Sequence, residues 1–147
     1  MLEQVLAQAA HSEVFISVAA VADWRPAAVS ATKLKKTPGQ SPPPLALALN
    51  PDILATVAAL PAPPLCVGFA AESDQLVEHA RQKLARKGVA LIVANQVDRT
   101  LGADDSQIVL VDAQGARPLA RASKLVQGRR IVAAIAQLLA PAATAGA

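Results

Sequence analysis

A chain of 147 residues, 53% hydrophobic and only 17% charged, has enough material for one domain with a sizeable core. Aromatic residues make up 2%, so that core is built from Ala, Val, Leu and Ile, the usual filling of a parallel sheet covered by helices. A net charge of +3, with no Tyr, excludes the dense basic patch and the stacking platform of a nucleic-acid binder, and suits phosphate-bearing small molecules better.

Leu2, Val5, Leu6 and Ala9 have helical spacing. Met1–Ala10 holds Glu3 and no basic residue, so it is not a signal peptide, and no apolar run approaches the ~20 residues that span a bilayer. A cytoplasmic protein without membrane contact is expected. Val14–Ala20 is apolar and rich in β-branched residues, which predicts a buried strand running on towards Asp23. From Pro26 to Pro44 the chain changes character, with clustered prolines, a glycine, and Lys33, Lys35 and Lys36. A connection of this length inside a compact domain is a functional loop, a lid or a disordered segment.

Leu45–Leu49 reads as a short strand or extended piece. Asn50-Pro51-Asp52 is expected to open a helix, with Asn50 as its N-cap, that runs to about Leu60. Leu65–Ala71 is the next predicted strand, and Cys66 within it is a buried thiol, too solitary for an intrachain disulfide. Asp74–Lys87 is an amphipathic helix, acidic first and basic last, closed by Gly88. Val89–Ala94 is a further buried strand. Ile108–Asp112 and Arg117–Leu119 flank Gln114-Gly115 as a hairpin, and Lys124–Leu139 is the closing helix. Residues 141–147 form a small-residue tail, expected to be disordered. Strands alternating with helix-length crossovers imply an α/β fold, a mainly parallel sheet with helices on both faces.

Ligands of such sheets bind beyond the carboxyl ends of the strands. There the sequence repeats a theme: small residues, then one polar group. It ends in Asp23 after Ala19-Ala20, in Glu72 after Ala70-Ala71, and in Asn95 after Ala94. Small side chains admit a ligand to the backbone and the polar group orients it. Each group also has a structural reading: Asp23 as a turn cap, Glu72 as the first charge of a helix, Asn95 as a turn residue. Lys83 and Lys87 share a helical face, as a solvated basic patch or as phosphate ligands. The prolines beside Lys33-Leu34-Lys35-Lys36 limit chain entropy, as a lid closing ammonium groups on phosphates would require. His11 and His79 have no cysteine partner at ligand spacing, so zinc is not expected. No Gly-rich phosphate loop and no nucleophile elbow are present.

Ala19-Ala20-Val21-Ala22-Asp23-Trp24, Lys33-Leu34-Lys35-Lys36, Asn50-Pro51-Asp52-Ile53-Leu54, Val67-Gly68-Phe69-Ala70-Ala71-Glu72 and Ile92-Val93-Ala94-Asn95 resemble, in order, the synthetase domain of phosphopantothenate–cysteine ligase. The resemblance runs over residues 1–140 and implies a Rossmann-like three-layer domain with a long lysine/proline lid and a C-terminal hairpin plus helix. It also implies CTP-dependent ligation of 4′-phosphopantothenate with cysteine through an acyl-cytidylate, in coenzyme A biosynthesis, with Mg²⁺ and in a homodimer. FMN would belong only to a decarboxylase domain fused upstream.

Carried over by motif, Ala19 and Ala20 present backbone to the nucleotide, and Asp23 holds ribose or the metal–triphosphate. Lys33 is the catalytic lysine of the clamp. Pro51, Asp52, Ile53, Leu54 and Phe69 line the nucleotide pocket, Lys83 and Lys87 reach the nucleotide, and Asn95 faces the substrate site. Trp24 stands where the pattern often has Tyr. The family opens on a Gly-rich loop, and this sequence begins downstream of it. The resemblance therefore implies an N-terminally incomplete domain that binds CTP weakly and does not ligate alone. The alternatives are a non-catalytic nucleotide-binding module or another Rossmann-type cofactor-binding domain.

Overall fold

The computed structural model describes residues 1–35, 39, 41, 43–96 and 102–140. The chain divides into two compact units: Ala19–Asp52 is one, and the residues before and after it form the other.

The larger unit begins with helix α1 (Leu2–Ala9) and strand β1 (Val14–Ser17), and resumes after Asp52 with helix α2 (Ile53–Ala58). There follow β4 (Leu65–Glu72), α3 (Leu76–Lys87), β5 (Leu91–Gln96), β6 (Asp105–Ser106), β7 (Ile108–Asp112), β8 (Gly115–Pro118), β9 (Ala122–Ser123) and α4 (Lys124–Leu139). Five strands form one sheet in the order β1-β4-β5-β7-β8. It is parallel at its core, where β4 pairs with β1 and β5, and the hairpin β7-β8 adds antiparallel strands beyond β5.

The strands alternate their side chains between two apolar layers, as the period of a pleated strand requires. Cys66, Ala70, Ile92, Ala94 and Val111 point into one layer with Ile53, Leu54 and Val57 of α2, Ala9 of α1 and Ala80 of α3. Val67, Leu91, Val93, Ile108 and Leu110 point into the other, against Ala134 and Ile135 of α4. The expected α/β three-layer arrangement is therefore present: helices cover both faces of the sheet. Burial pushes the Cys66 thiol above its ordinary pKa. No helix among the described residues is long and apolar enough to cross a membrane.

Gly68 is set by packing. A Cβ there would stand 2.7 Å from Leu54 Cδ2 and 2.9 Å from Ile92 Cδ1, so β4 and α2 approach as closely as they do only because this residue has no side chain. The hairpin turn is closed by Asp112, whose Oδ1 accepts the backbone N–H groups of Gln114 at 2.8 Å and Gly115 at 3.2 Å. α3 ends as expected, with Gly88 in the left-handed region at φ 61. Beyond the hairpin, β6 and β9 pair as a short antiparallel ribbon, and Arg121 binds Asp105 across it through two hydrogen bonds of 2.8 and 2.7 Å. That guanidinium holds the Asp105 carboxyl below its ordinary pKa. Buried Gln127 of α4 donates to the carbonyls of Ser106 at 2.7 Å and Ala120 at 3.1 Å, tying the ribbon to the helix.

The smaller unit is a two-stranded antiparallel ribbon, β2 (Trp24–Pro26) against β3 (Leu47–Leu49). Three expectations are corrected here. The first strand stops at Ser17 instead of running on towards Asp23, which leads into β2 in the smaller unit. The helix after Asn50 starts only at Ile53 and ends at Ala58. Asn50 is not its N-cap: it lies three residues before the first helical residue, and its Oδ1, the atom a cap would use, accepts from Arg25 at 3.1 Å while its Nδ2 donates to the Ala22 carbonyl at 2.7 Å. Lys36 and the tail 141–147 lie outside the described residues.

Candidate active site

In the larger unit, the carboxyl ends of β4 and β5 run side by side, with Ala70 opposite Ala94, Ala71 opposite Asn95 and Glu72 opposite Gln96. The small-then-polar theme thus occupies one sheet edge for these two strands, where open α/β sheets take their ligands. Asn95 is half-buried at that edge. Glu72 pairs with His79 of α3, with Oε2 to Nδ1 at 3.4 Å.

Lys83 lies one turn further along α3, and its Nζ donates to the Phe69 carbonyl at 2.6 Å. The reason for this bond lies in strand pairing. The Leu65 N–H donates to Glu13 and the Cys66 carbonyl accepts from Ala90, so alternate residues of β4 face β1 and β5 in turn. By that alternation Phe69 faces the β1 side, where the paired residues of β1 stop at Ser17 opposite Gly68. The ammonium group takes over a strand-edge carbonyl that β1 leaves behind, as buried backbone acceptors demand. Glu72–His79 and Phe69–Lys83 therefore bind α3 to the same end of β4.

Phe69 packs its ring into the layer of α4, whereas Ile53 and Leu54 bury their side chains in the opposite layer with α1 and α3. Lys87 is half-buried in the last turn of α3. So the larger unit brings Phe69 and Lys83 together, places Asn95 at the neighbouring strand end, and separates the Phe69 ring from the side chains of Ile53 and Leu54 by the thickness of the sheet.

The smaller unit carries Ala19, Ala20, Asp23, Lys33, Pro51 and Asp52, all exposed. Its latch is Asn50. Besides the bond to Ala22, its backbone N–H donates to the Asp23 carbonyl at 2.7 Å, and its Oδ1 accepts from Arg25 at 3.1 Å. Arg25 also donates to the Leu49 carbonyl at 2.6 Å. The backbone around Asp23 is thereby fixed while its carboxylate stays at the surface. Just before Lys33, Ser30 forms a tight turn, its Oγ donating to the Thr32 carbonyl at 2.6 Å and accepting the Thr32 N–H at 3.3 Å. Sequence reasoning missed the Asn50–Ala22–Arg25 latch and the Glu72–His79 pair. The Asn-Pro dipeptide was the available signal for the first, since it marks turns as readily as helix starts.

Among the described residues, no three His, Cys, Asp or Glu side chains come together as a metal site. A Mg²⁺ ion carried by nucleotide phosphates needs only one or two protein carboxylates, and the exposed Asp23 fits that lesser demand.

Residues 1–139 match the family model described as the DNA/pantothenate metabolism flavoprotein C-terminal domain. The chain is 39% identical over 143 residues to the coenzyme A biosynthesis bifunctional protein CoaBC of Vibrio vulnificus, covering 95% of this chain and 36% of that protein. It spans, then, about a third of the length of that relative. Among solved structures, the C-terminal domain of a coenzyme A biosynthesis bifunctional protein CoaBC superposes with a TM-score of 0.74 at 29% identity, covering 94% of this chain and 60% of that one. The DNA/pantothenate metabolism flavoprotein from Streptococcus pneumoniae shares the fold, with a TM-score of 0.72 at 20% identity over 92% of this chain and 68% of that one.

Proposed function

Because the chain belongs to the DNA/pantothenate metabolism flavoprotein C-terminal domain family, we propose that it serves the CTP-dependent ligation of 4′-phosphopantothenate with cysteine in coenzyme A biosynthesis. The observation that carries this reading is the family match across residues 1–139, within which Asp23, Lys33, Phe69, Glu72 and Asn95 stand in motifs of the right order. The names of the relatives, coenzyme A biosynthesis bifunctional proteins, support the pathway.

In the proposed reaction, a carboxylate oxygen of 4′-phosphopantothenate attacks the α-phosphorus of CTP. An acyl-cytidylate forms and pyrophosphate leaves. The cysteine amine then attacks the acyl carbon, CMP departs with the bonding pair, and the amine proton passes to solvent. Such chemistry asks a protein mainly for positioning and for charge stabilisation. Mg²⁺, when bound, would neutralise phosphate charge, and Asp23 would hold either the ribose or the metal–triphosphate. Ala19 and Ala20 have side chains small enough to let the nucleotide approach the backbone. Pro51, Asp52, Ile53 and Leu54 act as a backbone wall of the nucleotide site, since Ile53 and Leu54 commit their side chains to the core. Phe69 orients the strand end on which Lys83 is anchored, Lys83 and Lys87 supply positive charge, and Asn95 meets the acyl substrate. Lys33 is the catalytic lysine of the second half-reaction. The working form in this proposal is a cytoplasmic homodimer.

The test is Lys33→Gln within an intact ligase that contains this domain, followed by mass spectrometry of the acyl-cytidylate. The intermediate should build up while 4′-phosphopantothenoylcysteine formation falls at least ~100-fold, about 2.7 kcal/mol of transition-state stabilisation. Normal turnover by the variant would remove Lys33 from its role.

A further inference from the structure

Two polar side chains at the ligand edge have no part in the ligation as written above: Glu72, the last residue of β4, and His79, at the end of the first turn of α3. Glu72 follows Ala70 by two residues, so its side chain enters the same layer, the one that α3 shares. There its Oε2 stands 3.4 Å from Nδ1 of His79. The imidazole is 37% exposed and the carboxylate 30%, so both are partly shielded and still open to a solute. Nε2 of His79 is engaged by no hydrogen bond among the described residues.

The chemistry of such a pair is that of a base. A carboxylate beside Nδ1 selects the tautomer with its proton there, which leaves the Nε2 lone pair to accept one. The same carboxylate stabilises the imidazolium that then forms. The strand ends give the pair its place. β1 stops at Ser17, opposite Gly68, so residues 69–72 of β4 run on past it. Lys83, one turn along α3 from His79, braces that stretch at the Phe69 carbonyl. Glu72 lies opposite Gln96, one residue beyond Asn95 on the ladder. The other acidic group of the first turn, Glu78, is turned to Gln82 at 3.0 Å.

We propose that Glu72 and His79 form a general-base dyad for the second half-reaction. The inference rests on the ligation reading and adds to it. Free cysteine carries its amine as an ammonium group at neutral pH, with no lone pair to attack with, so the step needs a proton acceptor. His79 Nε2 takes that proton. The freed amine forms its bond to the acyl carbon, the bond from that carbon to the phosphate oxygen breaks, and CMP leaves with the electron pair. The new amide nitrogen sheds its second proton to solvent, and His79 returns the first. A substrate lying across the sheet edge would meet Asn95 from one face and His79 from the other, because alternate strand residues face opposite layers.

The test compares wild type, His79→Gln, His79→Ala and Glu72→Gln within an intact ligase that contains this domain, following acyl-cytidylate and 4′-phosphopantothenoylcysteine in single turnovers. Both His79 variants should still form the acyl-cytidylate and release pyrophosphate, while ligation slows at least ~100-fold. Glu72→Gln should slow the same step. Added imidazole should raise ligation by His79→Ala at least ~10-fold and leave wild type unchanged, since a small base can replace a lost one but cannot mend a lost packing contact. Ligation by His79→Gln at the wild-type rate, or a loss in His79→Ala that imidazole does not relieve, would overturn the dyad and leave the ligase reading standing. An intact protein that does not ligate at all would sink both.

Discussion

Replacing Gly68 by Ala tests how β4 is held against α2. The new methyl group would stand 2.7 Å from Leu54 Cδ2 and 2.9 Å from Ile92 Cδ1. Leu54 is only 5% exposed and Ile92 is fully buried, so neither side chain can swing out to solvent. Overpacking of this kind costs about 1–3 kcal/mol, which for a chain of this size lowers the melting temperature by roughly 3–9 °C. The informative measurement is a double-mutant cycle by thermal or urea unfolding. Leu54→Ala alone should cost about 2–5 kcal/mol for the cavity it leaves. In the double variant the Gly68→Ala methyl fills part of that cavity and meets no Leu54, so the combined loss should fall short of the sum by at least about 1 kcal/mol. Additive losses, or a Gly68→Ala chain as stable as wild type, would refute the packing argument.

Lys83→Met should lower stability by about 1–3 kcal/mol with no nucleotide present, because the Phe69 carbonyl loses the ammonium that replaces a strand partner; urea unfolding reads this directly. Asn50→Ala should loosen the ribbon of Ala19–Asp52, so limited proteolysis should cut there faster while the melting temperature of the larger unit changes little. Arg121 holds the Asp105 carboxyl below its ordinary value of 3.8 in the folded chain. The ion pair therefore contributes above that value and its contribution is lost as pH falls through the depressed folded one. Arg121→Met should abolish that acid-limb slope, and its stability difference from wild type should stay level at higher pH and shrink below about pH 4.

The long apolar runs were legible because strands buried on both faces need little else, and they placed β4, β5, β7 and helix α3 between the first two close to their observed bounds. Gly88 announced the end of α3 because only a residue without Cβ enters the left-handed region cheaply. Of the small ribbon, the extended piece at Leu47–Leu49 was legible, but neither its partner strand Trp24–Pro26 nor their pairing was. Trp24–Pro26 and Leu47–Leu49 are too short to show alternation, and their partner lies a long loop away in sequence. The end of β1 was misread for a related reason: Ala19–Ala22 are apolar enough to continue a strand, and only pairing decides that they do not. In the candidate site, Glu72 and Asn95 were legible as polar groups following small residues. The hold of Lys83 on Phe69 was not, since it depends on the register that leaves Ser17 opposite Gly68. The shared helical face of Lys83 and Lys87 gave direction without giving the acceptor.

Calorimetric titration of this chain with CTP, against ATP and NAD as competitors, bears most directly on the proposed function. The account predicts that CTP binds more tightly than ATP and that NAD does not bind. Binding of NAD with none of CTP would contradict it and return the fold to a different cofactor.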